Sequence, residues 1–241
     1  MTLYQGMKAY GAHLGPYRTP AREDEPRLLG PNFYYDREDL LRRTAAERGF
    51  RFTVLRPEAV IGHGTGNPMN LLMVIAVYAS VCKELGLPLR FPGSVATYDS
   101  LYNVTDAELL GRATVWAGAD ENAAGEIFNV TNGDAFRWRH IWPAFARYFG
   151  LEYAEPVPMS LTEHMADKQA LWERMVERHG LLPTSWQSLV SWQFGDPIFS
   201  LRDNIASTIK IRQAGFADCY DTEHRFLELF DRLRNANVIP R

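Results

Sequence analysis

Apolar runs broken by proline and glycine predict a chain of short strands and longer helices. The longest run spans residues 71–82, twelve residues in all, and predicts a buried helix over residues 70–85 that Gly86 and Pro88 end. A helix needs roughly 18–20 apolar residues to cross a bilayer. This segment is therefore expected in the core of the protein and not in a membrane.

Three short stretches have the composition of strands. The first is broken by Gly6, the second is buried and stopped by Arg56-Pro57, and the third is followed by a turn at Asn132-Gly133-Asp134. These stretches are residues 2–5, 52–55 and 126–130. So few strands do not make a self-sufficient doubly wound sheet.

The first predicted helix follows a loop that proline keeps irregular. Residues 18–31 contain three prolines among alternating charges, so we expect an exposed loop without regular structure. Asn32 can then cap a helix over residues 33–48, which Gly49 ends. The side chains expected together on one face of it are Phe33, Leu40, Leu41 and Thr44.

Helices dominate the second half of the chain. Thr105 with Glu108 matches a capping box and opens a helix that reaches Trp116, and Ser160 with Glu163 matches a second box. Further helices are expected over residues 138–149, 160–179, 201–213 and 222–234. A strand, a helix and a strand followed by helices indicate half of an α/β layer with a helical portion after it.

The composition is that of an ordinary globular protein. The 241 residues are 46% hydrophobic and 23% charged, which excludes disorder and suits one compact domain or a domain with a smaller appendage. The net charge is −3, with 26 Lys and Arg against 29 Asp and Glu, so no basic field indicates nucleic acid. Cys82 and Cys219 form no CxxC unit, and the first residues lack a signal-peptide pattern. We therefore expect free thiols and a cytoplasmic protein.

Three common binding or catalytic motifs do not match. The cluster Gly62-His63-Gly64-Thr65-Gly66 lies between a strand and a helix, but the last glycine of a GxGxxG fingerprint would fall on Asn67. The six histidines lack the spacing of zinc ligands, so no metal site is expected. The sequence also has no GxSxG or Cys–His signature of a hydrolase.

A pair of tyrosines offers more chemistry. Tyr34 and Tyr35 stand at a helix start, and Lys8 lies just past the carboxyl end of the first predicted strand, where open α/β sheets place ligands. A cation near a phenol lowers the pKa of the hydroxyl and eases proton exchange with a substrate oxygen. The YxxxK spacing of short-chain dehydrogenases fails, because Glu38 stands four residues after Tyr34. From the residues alone, a packed aromatic pair and a solvated surface lysine stay open as interpretations.

Several stretches are specific when they are taken together. Asn32-Phe33-Tyr34-Tyr35-Asp36 is followed later by Phe128-Asn129-Val130, by Asn132-Gly133-Asp134, and by Trp138 and Trp142. The other matching stretches are residues 6–10, 24–28, 56–57, 69–70, 77–79, 82–83, 91–93, 207–210 and 215–216. Over nearly the whole chain they resemble the progesterone 5β-reductase and iridoid synthase-like (PRISE) group of atypical extended short-chain dehydrogenases.

The resemblance implies an α/β fold, namely the C-terminal part of an extended short-chain dehydrogenase with a partial Rossmann sheet and a mostly helical substrate-binding portion. Residues 1–66 would be the second half of the Rossmann-like domain. Residues 67–241 would be the substrate-binding portion, with some strands returning to the sheet. Members of the group begin with a nucleotide-binding half that carries a glycine fingerprint, so the chain looks N-terminally truncated.

The resemblance also implies an active site. Lys8 and Tyr34 match a catalytic pair that serves hydride transfer from NADPH to the β-carbon of an enone. Tyr34 would hold the carbonyl oxygen, and Lys8 would tune Tyr34 and hold the nicotinamide ribose. The further positions that would contact the cofactor are Val60, Asn67, Pro68 and Met69, and those that would line the substrate are Tyr17, Ala59 and Met69. Gln5 and Ala59 replace a threonine and an asparagine of plant members, which leaves the substrate open.

Two other interpretations stay open. Arg56-Pro57 and the Asn132-Gly133 turn also occur across extended dehydrogenases, so a nucleotide-sugar epimerase or dehydratase is an alternative, although the missing YxxxK argues against it. The second is a shortened homologue without catalysis of its own. The expected partner is a small-molecule substrate, with no nucleic acid and no membrane, and a homodimer stays open.

Overall fold

The computed structural model describes residues 1–200 and 202–241, which fold into two compact units. The first unit comprises residues 1–60, 102–135 and 203–221, and the second comprises residues 61–101, 136–202 and 222–241. Each unit thus joins distant parts of the chain. The predicted division between residues 66 and 67 followed chain order, whereas the units follow strand pairing and packing. The roles assigned to the two predicted stretches stay predictions.

The elements alternate between short strands and helices. The strands are β1 (Thr2–Tyr4), β2 (Thr53–Pro57), β3 (Val60–Ile61), β4 (Leu89–Arg90), β5 (Leu101–Tyr102), β6 (Thr105–Asp106), β7 (Ile127–Val130), β8 (Phe136–Arg137) and β9 (Tyr153–Ala154). The helices are α1 (Phe33–Arg48), α2 (Leu71–Glu84), α3 (Val95–Tyr98), α4 (Ala107–Ala119), α5 (Trp138–Phe149), α6 (Leu161–His164), α7 (Gln169–His179), α8 (Trp186–Leu189), α9 (Trp192–Ile198), α10 (Ile209–Gln213) and α11 (Thr222–Asn235), with 3₁₀ turns at Met7–Tyr10 and Glu121–Ala123. The predicted α/β class is confirmed.

A parallel three-stranded sheet forms the centre of the first unit. Strand β2 lies between β1 and β7, and its Val54 is paired with Leu3 on one side and with Ile127 on the other. All of β2 is buried, as in a strand covered on both faces. The strand continues through Arg56 and Pro57, where the sequence predicted its stop, because the Arg56 side chain is itself buried among polar partners.

The apolar core of the first unit lies between this sheet and helices α4 and α10. Its buried members are Leu55, Leu109, Ala113, Ala117, Ala123, Phe128, Val130, Ile211 and Phe216. Removing such side chains from water contributes roughly 25 cal/mol per Å² of apolar surface. This core fixes the carboxyl end of β2, from which the candidate site is built.

Asp106, and not Thr105, caps helix α4. The Asp106 carboxylate accepts hydrogen bonds from the N–H groups of Glu108 and Leu109 at 2.8 and 3.1 Å. Thr105 lies in β6, and its hydroxyl donates to the Val130 carbonyl oxygen at 2.6 Å. The predicted capping box is therefore wrong, because the threonine hydroxyl links β6 to β7 instead.

Helix α1 begins and ends where the sequence predicts. The Asn32 side chain accepts a hydrogen bond from the Tyr34 N–H at 3.0 Å, which satisfies one of the free donors of the first turn. Gly49 closes the helix with a φ of +69°, a conformation that glycine adopts without strain. The cap also fixes where the first turn, and with it Tyr34, begins.

The buried side of α1 differs from the predicted face. Phe33 and Leu40 are 49% and 54% exposed. An ion pair between Glu38 and Arg56 turns another side of the helix inward. The residues buried there are Tyr35, Glu38, Leu41 and Ala45. Apolar periodicity failed here because a charged residue occupies the inward position.

The loop of residues 18–31 is irregular as predicted, but it is not exposed throughout. Ala21 is fully buried, and its N–H donates to the Ile205 carbonyl oxygen at 2.9 Å. The Glu23 carboxylate accepts the N–H of Asn129 in the edge strand β7 at 2.8 Å. The loop therefore covers a sheet edge that would otherwise be open to pairing with another chain.

The second unit is built around helix α2, which is buried along nearly its whole length, as predicted. It packs against α5, α9 and α11. Beside it, four aromatic rings form a cluster with centroid separations between 5.2 and 6.0 Å. These rings belong to Phe91, Trp138, Trp142 and Phe199. Among the described helices, none combines the length and the apolar character needed to cross a membrane.

Two predicted helices differ from the structure. The helix expected over residues 160–179 is divided into α6 and α7, because a hydrogen-bonded turn at residues 165–168 interrupts the helical ladder. Of the helix expected over residues 201–213, only α10 forms, since Asn204 and Ala206 are paired in isolated bridges. Leu201 lies outside the described residues.

Candidate active site

Two strands of the first unit end at the same edge of its sheet. Because β1 and β2 run parallel, their carboxyl ends lie side by side, which is where open α/β sheets bind ligands. Lys8 follows β1, and Glu58, Ala59 and Val60 follow β2. Tyr34 stands in the first turn of α1. These residues all belong to the first unit.

Asn32 links the backbone of Lys8 to that of Tyr34. Its side-chain Nδ2 donates to the Lys8 carbonyl oxygen at 3.1 Å, and its Oδ1 accepts from the Tyr34 N–H at 3.0 Å. The Tyr34 hydroxyl lies 3.3 Å from the position that a Cβ atom on Gly6 would take. Among the described residues, neither the Lys8 ammonium nor the Tyr34 hydroxyl makes a hydrogen bond or ion pair. Both groups are therefore available to a ligand.

The Tyr34 phenol keeps its proton at neutral pH. Burial raises the pKa of its hydroxyl, the Arg37 charge lowers it, and the Glu58 charge raises it again, with a net increase. Lys8 is not among the charges that act on this hydroxyl, and desolvation has the largest effect, so the tuning of Tyr34 by Lys8 stays a prediction. In this environment Tyr34 is suited to donate a hydrogen bond to an oxygen that becomes negatively charged.

Gln5 holds the first turn of α1 against strand β2. Its side-chain Nε2 donates to the Tyr34 carbonyl oxygen at 3.0 Å and to Glu38 Oε2 at 3.2 Å, while its Oε1 accepts from Arg56 Nε at 2.8 Å. The sequence marked Gln5 only as a departure from plant members. In the structure it positions the backbone of the candidate catalytic tyrosine.

Three arginine side chains pair with the Glu38 carboxylate, which lies on the buried side of α1. The carboxylate pairs with Arg56 at 3.4 Å, with Arg42 at 2.9 Å and with Arg27 at 3.3 Å. Burial raises the pKa of Glu38, but hydrogen bonds from Arg42 and Gln5 and the nearby arginine charges outweigh it and lower the pKa below its ordinary value. Gln5 connects the Glu38–Arg56 pair to the Tyr34 carbonyl oxygen.

Tyr17 lines a cavity of about 350 Å³ in the first unit. The wall is largely apolar and includes Tyr10, Leu14, Pro16 and Leu28. The Tyr17 hydroxyl donates to Asn204 Oδ1 at 2.5 Å, and burial together with the charges of Glu58 and Tyr10 raises its pKa. A largely apolar cavity with a few polar groups, here Tyr17, Arg18 and Glu25, suits a small organic molecule.

Ala59 and Val60 lie half-buried beyond β2. The Ala59 carbonyl oxygen accepts the N–H of Thr105 at 3.3 Å. Asn67, Pro68 and Met69 instead belong to the second unit. Asn67 and Met69 are exposed there, and the Pro68 carbonyl oxygen accepts from the Ser191 N–H at 2.9 Å. Their contact with a cofactor or substrate stays a prediction.

Glu58 is a candidate that the sequence interpretation missed. It is buried directly after β2, its N–H donates to the Thr105 hydroxyl at 3.0 Å, and its Oε1 accepts from the Tyr102 hydroxyl at 3.0 Å. Burial raises its pKa to about 7, against smaller lowering effects of hydrogen bonds from Ala59, Tyr102 and Asn204. A carboxylate immediately after Arg56-Pro57, at the end of a buried strand, was the available signal.

No group of three or more histidine, cysteine, aspartate or glutamate side chains within the described part of the chain is arranged to hold a metal ion. The thiols of Cys82 and Cys219 are both unpaired, the first buried and the second exposed. The candidate site offers a phenol from Tyr34, an ammonium group from Lys8 and a buried carboxyl from Glu58.

Comparison with known sequences gives consistent matches. Residues 1–240 match the family described as the PRISE-like Rossmann-fold domain. The chain is 34% identical over 238 residues to an (S)-8-oxocitronellyl enol synthase of Camptotheca acuminata, covering 97% of this chain and 61% of that protein. It is 33% identical over 241 residues to an (S)-8-oxocitronellyl enol synthase of Catharanthus roseus, covering 98% and 62%. The chain thus spans about six tenths of the length of these relatives.

Solved structures show the same fold at low identity. RMD from Pseudomonas aeruginosa complexed with NADPH is 16% identical, with 95% of this chain and 64% of that chain covered and a TM-score of 0.60. UDP-glucose 4-epimerase from Thermotoga maritima with UDP-glucose is 17% identical, with 97% and 63% covered and a TM-score of 0.61. These likenesses concern the fold alone.

Proposed function

Because this chain belongs to the PRISE-like Rossmann-fold family, we propose that it acts in the NAD(P)H-dependent reduction of a small molecule that carries an activated C=C bond, as in an enone, or a carbonyl. The observation that carries this proposal is the link that Asn32 makes between the backbones of Lys8 and Tyr34, with both functional groups left without partners among the described residues. The names of the relatives and the NADPH bound by one structural neighbour support the choice of reaction and cofactor.

The residues present fit the nicotinamide end of NADPH. The Lys8 ammonium offers N–H donors that no described residue uses, and such donors suit the ribose hydroxyls. Val60, Asn67, Pro68 and Met69 are proposed to contact the nicotinamide. NADPH, when bound, supplies the hydride.

Tyr34 stabilises the charge that develops on the substrate. When hydride adds to the β-carbon of an enone, the π-electron pair moves and the carbonyl oxygen becomes an enolate. The protonated Tyr34 hydroxyl donates a hydrogen bond to that oxygen, which lowers the barrier most where water is excluded. The α-carbon then takes a proton from solvent, which completes the reduction. Tyr17, Ala59 and Met69 are proposed to line the substrate.

Replacing Tyr34 by phenylalanine is expected to lower the turnover of an enone about 100-fold or more, because it removes a hydrogen-bond donor used in the transition state. NADPH binding should persist. Turnover is followed by the loss of NADPH absorbance with 2-cyclohexen-1-one, and binding by NADPH fluorescence. Tyr35→Phe is the matched control: this hydroxyl donates to the Ala9 carbonyl oxygen and supports the fold, so turnover should change little.

The same assay separates the proposal from its alternatives. Unchanged turnover in Tyr34→Phe would end the catalytic assignment of this residue. Turnover of a UDP-sugar without turnover of the enone would favour an epimerase or dehydratase. A wild-type chain that neither binds NADPH nor turns over either substrate would favour a homologue without catalysis of its own.

Replacing Asn32 by alanine is expected to cost about 1 kcal/mol of stability, since it removes a helix cap. It should also lower enone turnover about tenfold or more, because the same side chain holds the Lys8 backbone beside Tyr34. Ser160→Ala removes the cap of α6 and controls for the stability loss. Equal effects of both variants on turnover per folded molecule would contradict a positioning role of Asn32. Stability is measured by urea unfolding.

A further inference from the structure

Tyr17 belongs to a group of four polar side chains that includes neither Lys8 nor Tyr34. The Tyr102 hydroxyl donates to Glu58 Oε1 at 3.0 Å, and the Tyr17 hydroxyl donates to Asn204 Oδ1 at 2.5 Å. Tyr102 and Asn204 are neighbours in an isolated parallel bridge. Glu58, Tyr102 and Asn204 are each buried, whereas Tyr17 reaches the cavity described above. All four belong to the first unit.

Two polar atoms in this group of side chains lack hydrogen-bond partners. Glu58 Oε2 and Asn204 Nδ2 are buried, and among the described residues neither has a hydrogen bond. The Asn204 side chain nevertheless lies near enough to the Glu58 carboxyl to lower the pKa of Glu58. Burial raises that pKa and has the larger effect. One atom is an acceptor and the other a donor, so a small movement of either side chain satisfies both.

A hydrogen bond between Glu58 and Asn204 would couple the protonation state of the carboxyl to the orientation of the amide. An ionised carboxylate can only accept, so it requires Nδ2 of Asn204; Oδ1 then faces Tyr17, whose hydroxyl must donate to it. A protonated Glu58 has an O–H that it can donate to Oδ1. The amide is then turned over, Nδ2 donates to the Tyr17 hydroxyl oxygen, and the Tyr17 O–H is released. The two amide orientations occupy nearly the same space.

We propose that Glu58, acting through Asn204, decides whether the Tyr17 hydroxyl offers a hydrogen-bond donor or only an acceptor to a molecule in the adjoining cavity. Glu58 is thus a positioning residue for substrate specificity. The proposal rests on the proposed function only in taking Tyr17 as a substrate-lining residue. With Glu58 protonated, the cavity favours a ligand that presents a carbonyl or ether oxygen to Tyr17. With Glu58 ionised, it favours a ligand that presents a hydroxyl.

The groups around Glu58 place this change in the neutral range. The titratable neighbours that interact with it are the phenols of Tyr17, Tyr34 and Tyr102. Within the described residues no lysine or arginine forms an ion pair with it, so burial dominates and raises its pKa to about 7. Acidification through neutral pH therefore protonates Glu58 and releases the Tyr17 O–H.

NMR can follow the Glu58 carboxyl and the Tyr17 phenol without any enzymatic turnover. Glutamate carboxyl carbons and tyrosine Cζ carbons are labelled with ¹³C, and Glu58→Gln and Tyr17→Phe identify the two signals. We expect the Tyr17 signal of the wild-type protein to shift with pH at the same midpoint as the Glu58 signal. Asn204→Ala should leave Glu58 titrating and abolish the shift at Tyr17. Glu25→Gln alters a carboxylate that lines the same cavity and should leave the shift in place.

Three results would overturn the proposal. The first is a Glu58 carboxyl that does not titrate between about pH 5 and 9. The second is a Tyr17 chemical shift that does not change while Glu58 titrates in the wild-type protein. This measurement does not require any variant to fold. The third is a Tyr17 shift that persists in Asn204→Ala. None of these outcomes bears on the reductase chemistry at Lys8 and Tyr34.

A kinetic arm tests the consequence for binding. With 2-cyclohexen-1-one, the wild-type KM is expected to rise about fivefold as pH increases through neutrality, the equivalent of one neutral hydrogen bond, with a smaller change in kcat. Glu58→Gln carries a permanent donor, so its KM should stay low across the range. A flat wild-type KM together with a coupled NMR titration would overturn the specificity role. Absence of any turnover would count against the proposed function and leave the NMR result to decide this inference.

Discussion

Replacing Glu38 by alanine is expected to lower the free energy of unfolding by about 4 kcal/mol, because it leaves a buried charge without its partner. The Arg56 side chain is only 6% exposed and pairs with Glu38, so its guanidinium cannot turn to water. Arg27 and Arg42, the other partners, are more than 40% exposed and lose little. Urea unfolding of the two proteins at pH 7 measures the difference.

Asp39→Ala is the matched control. Asp39 is the next residue of the same helix and also pairs with Arg27, at 2.7 Å, but it is 57% exposed. Exposed pairs of this kind contribute little to stability, so Asp39→Ala should lose far less than Glu38→Ala. Similar losses for both variants would show that the burial of Arg56 does not set the energy of its pairing.

Acidification should act in the same direction as the Glu38 substitution. The pKa of Glu38 lies below its ordinary value of 4.5 in the folded protein, so the stability that it contributes is present above about pH 4.5 and is lost as the pH falls through the folded-state pKa. The difference in stability between wild type and Glu38→Ala should therefore shrink below pH 4.5. A difference that stays constant down to pH 3 would contradict an ionic origin.

Replacing Gly93 by alanine is expected to destabilise the second unit by about 3 kcal/mol. A Cβ atom at this position would lie well inside van der Waals distance of the Phe199 carbonyl oxygen and 2.6 Å from Cε1 of Phe91. Neither neighbour can yield easily, because one is backbone and the other is a fully buried ring in the aromatic cluster. Thermal unfolding followed by circular dichroism and fluorescence measures the loss.

Gly111→Ala is the control for a change of glycine to alanine by itself. Gly111 is exposed inside helix α4, and a Cβ atom there meets nothing within 4 Å. Alanine restricts the unfolded chain and favours the helix, so this variant should gain about 0.5–1 kcal/mol. Destabilisation by Gly111→Ala, or a neutral Gly93→Ala, would refute the close approach at residue 93.

The sequence predicted best where local chemistry alone decides the structure. Asn32 and Gly49 marked both ends of α1, and the apolar run before Lys83 marked α2, because caps and continuous burial leave their signature within a few residues. The family resemblance is confirmed by the match over residues 1–240. Both kinds of evidence need no knowledge of which distant segments meet.

The failures arise where distant residues decide. Thr105 looked like a cap, but its hydroxyl is taken by Val130, a residue that becomes its neighbour only through the sheet. The inward side of α1 was missed because Glu38 is stabilised there by Arg56 from another element. Glu58 was missed for the same reason, since its burial depends on segments near residues 102 and 204. Periodicity cannot report such contacts.

The discontinuous first unit has a consequence for biosynthesis. Strands β1 and β2 leave the ribosome long before β7 and α10, so one flank of β2 has no partner while the chain between them is still being translated. During that interval the apolar side chains of β2 are accessible to chaperones. The final packing of this unit must wait until residues 203–221 have left the ribosome, after most of the second unit has been synthesised.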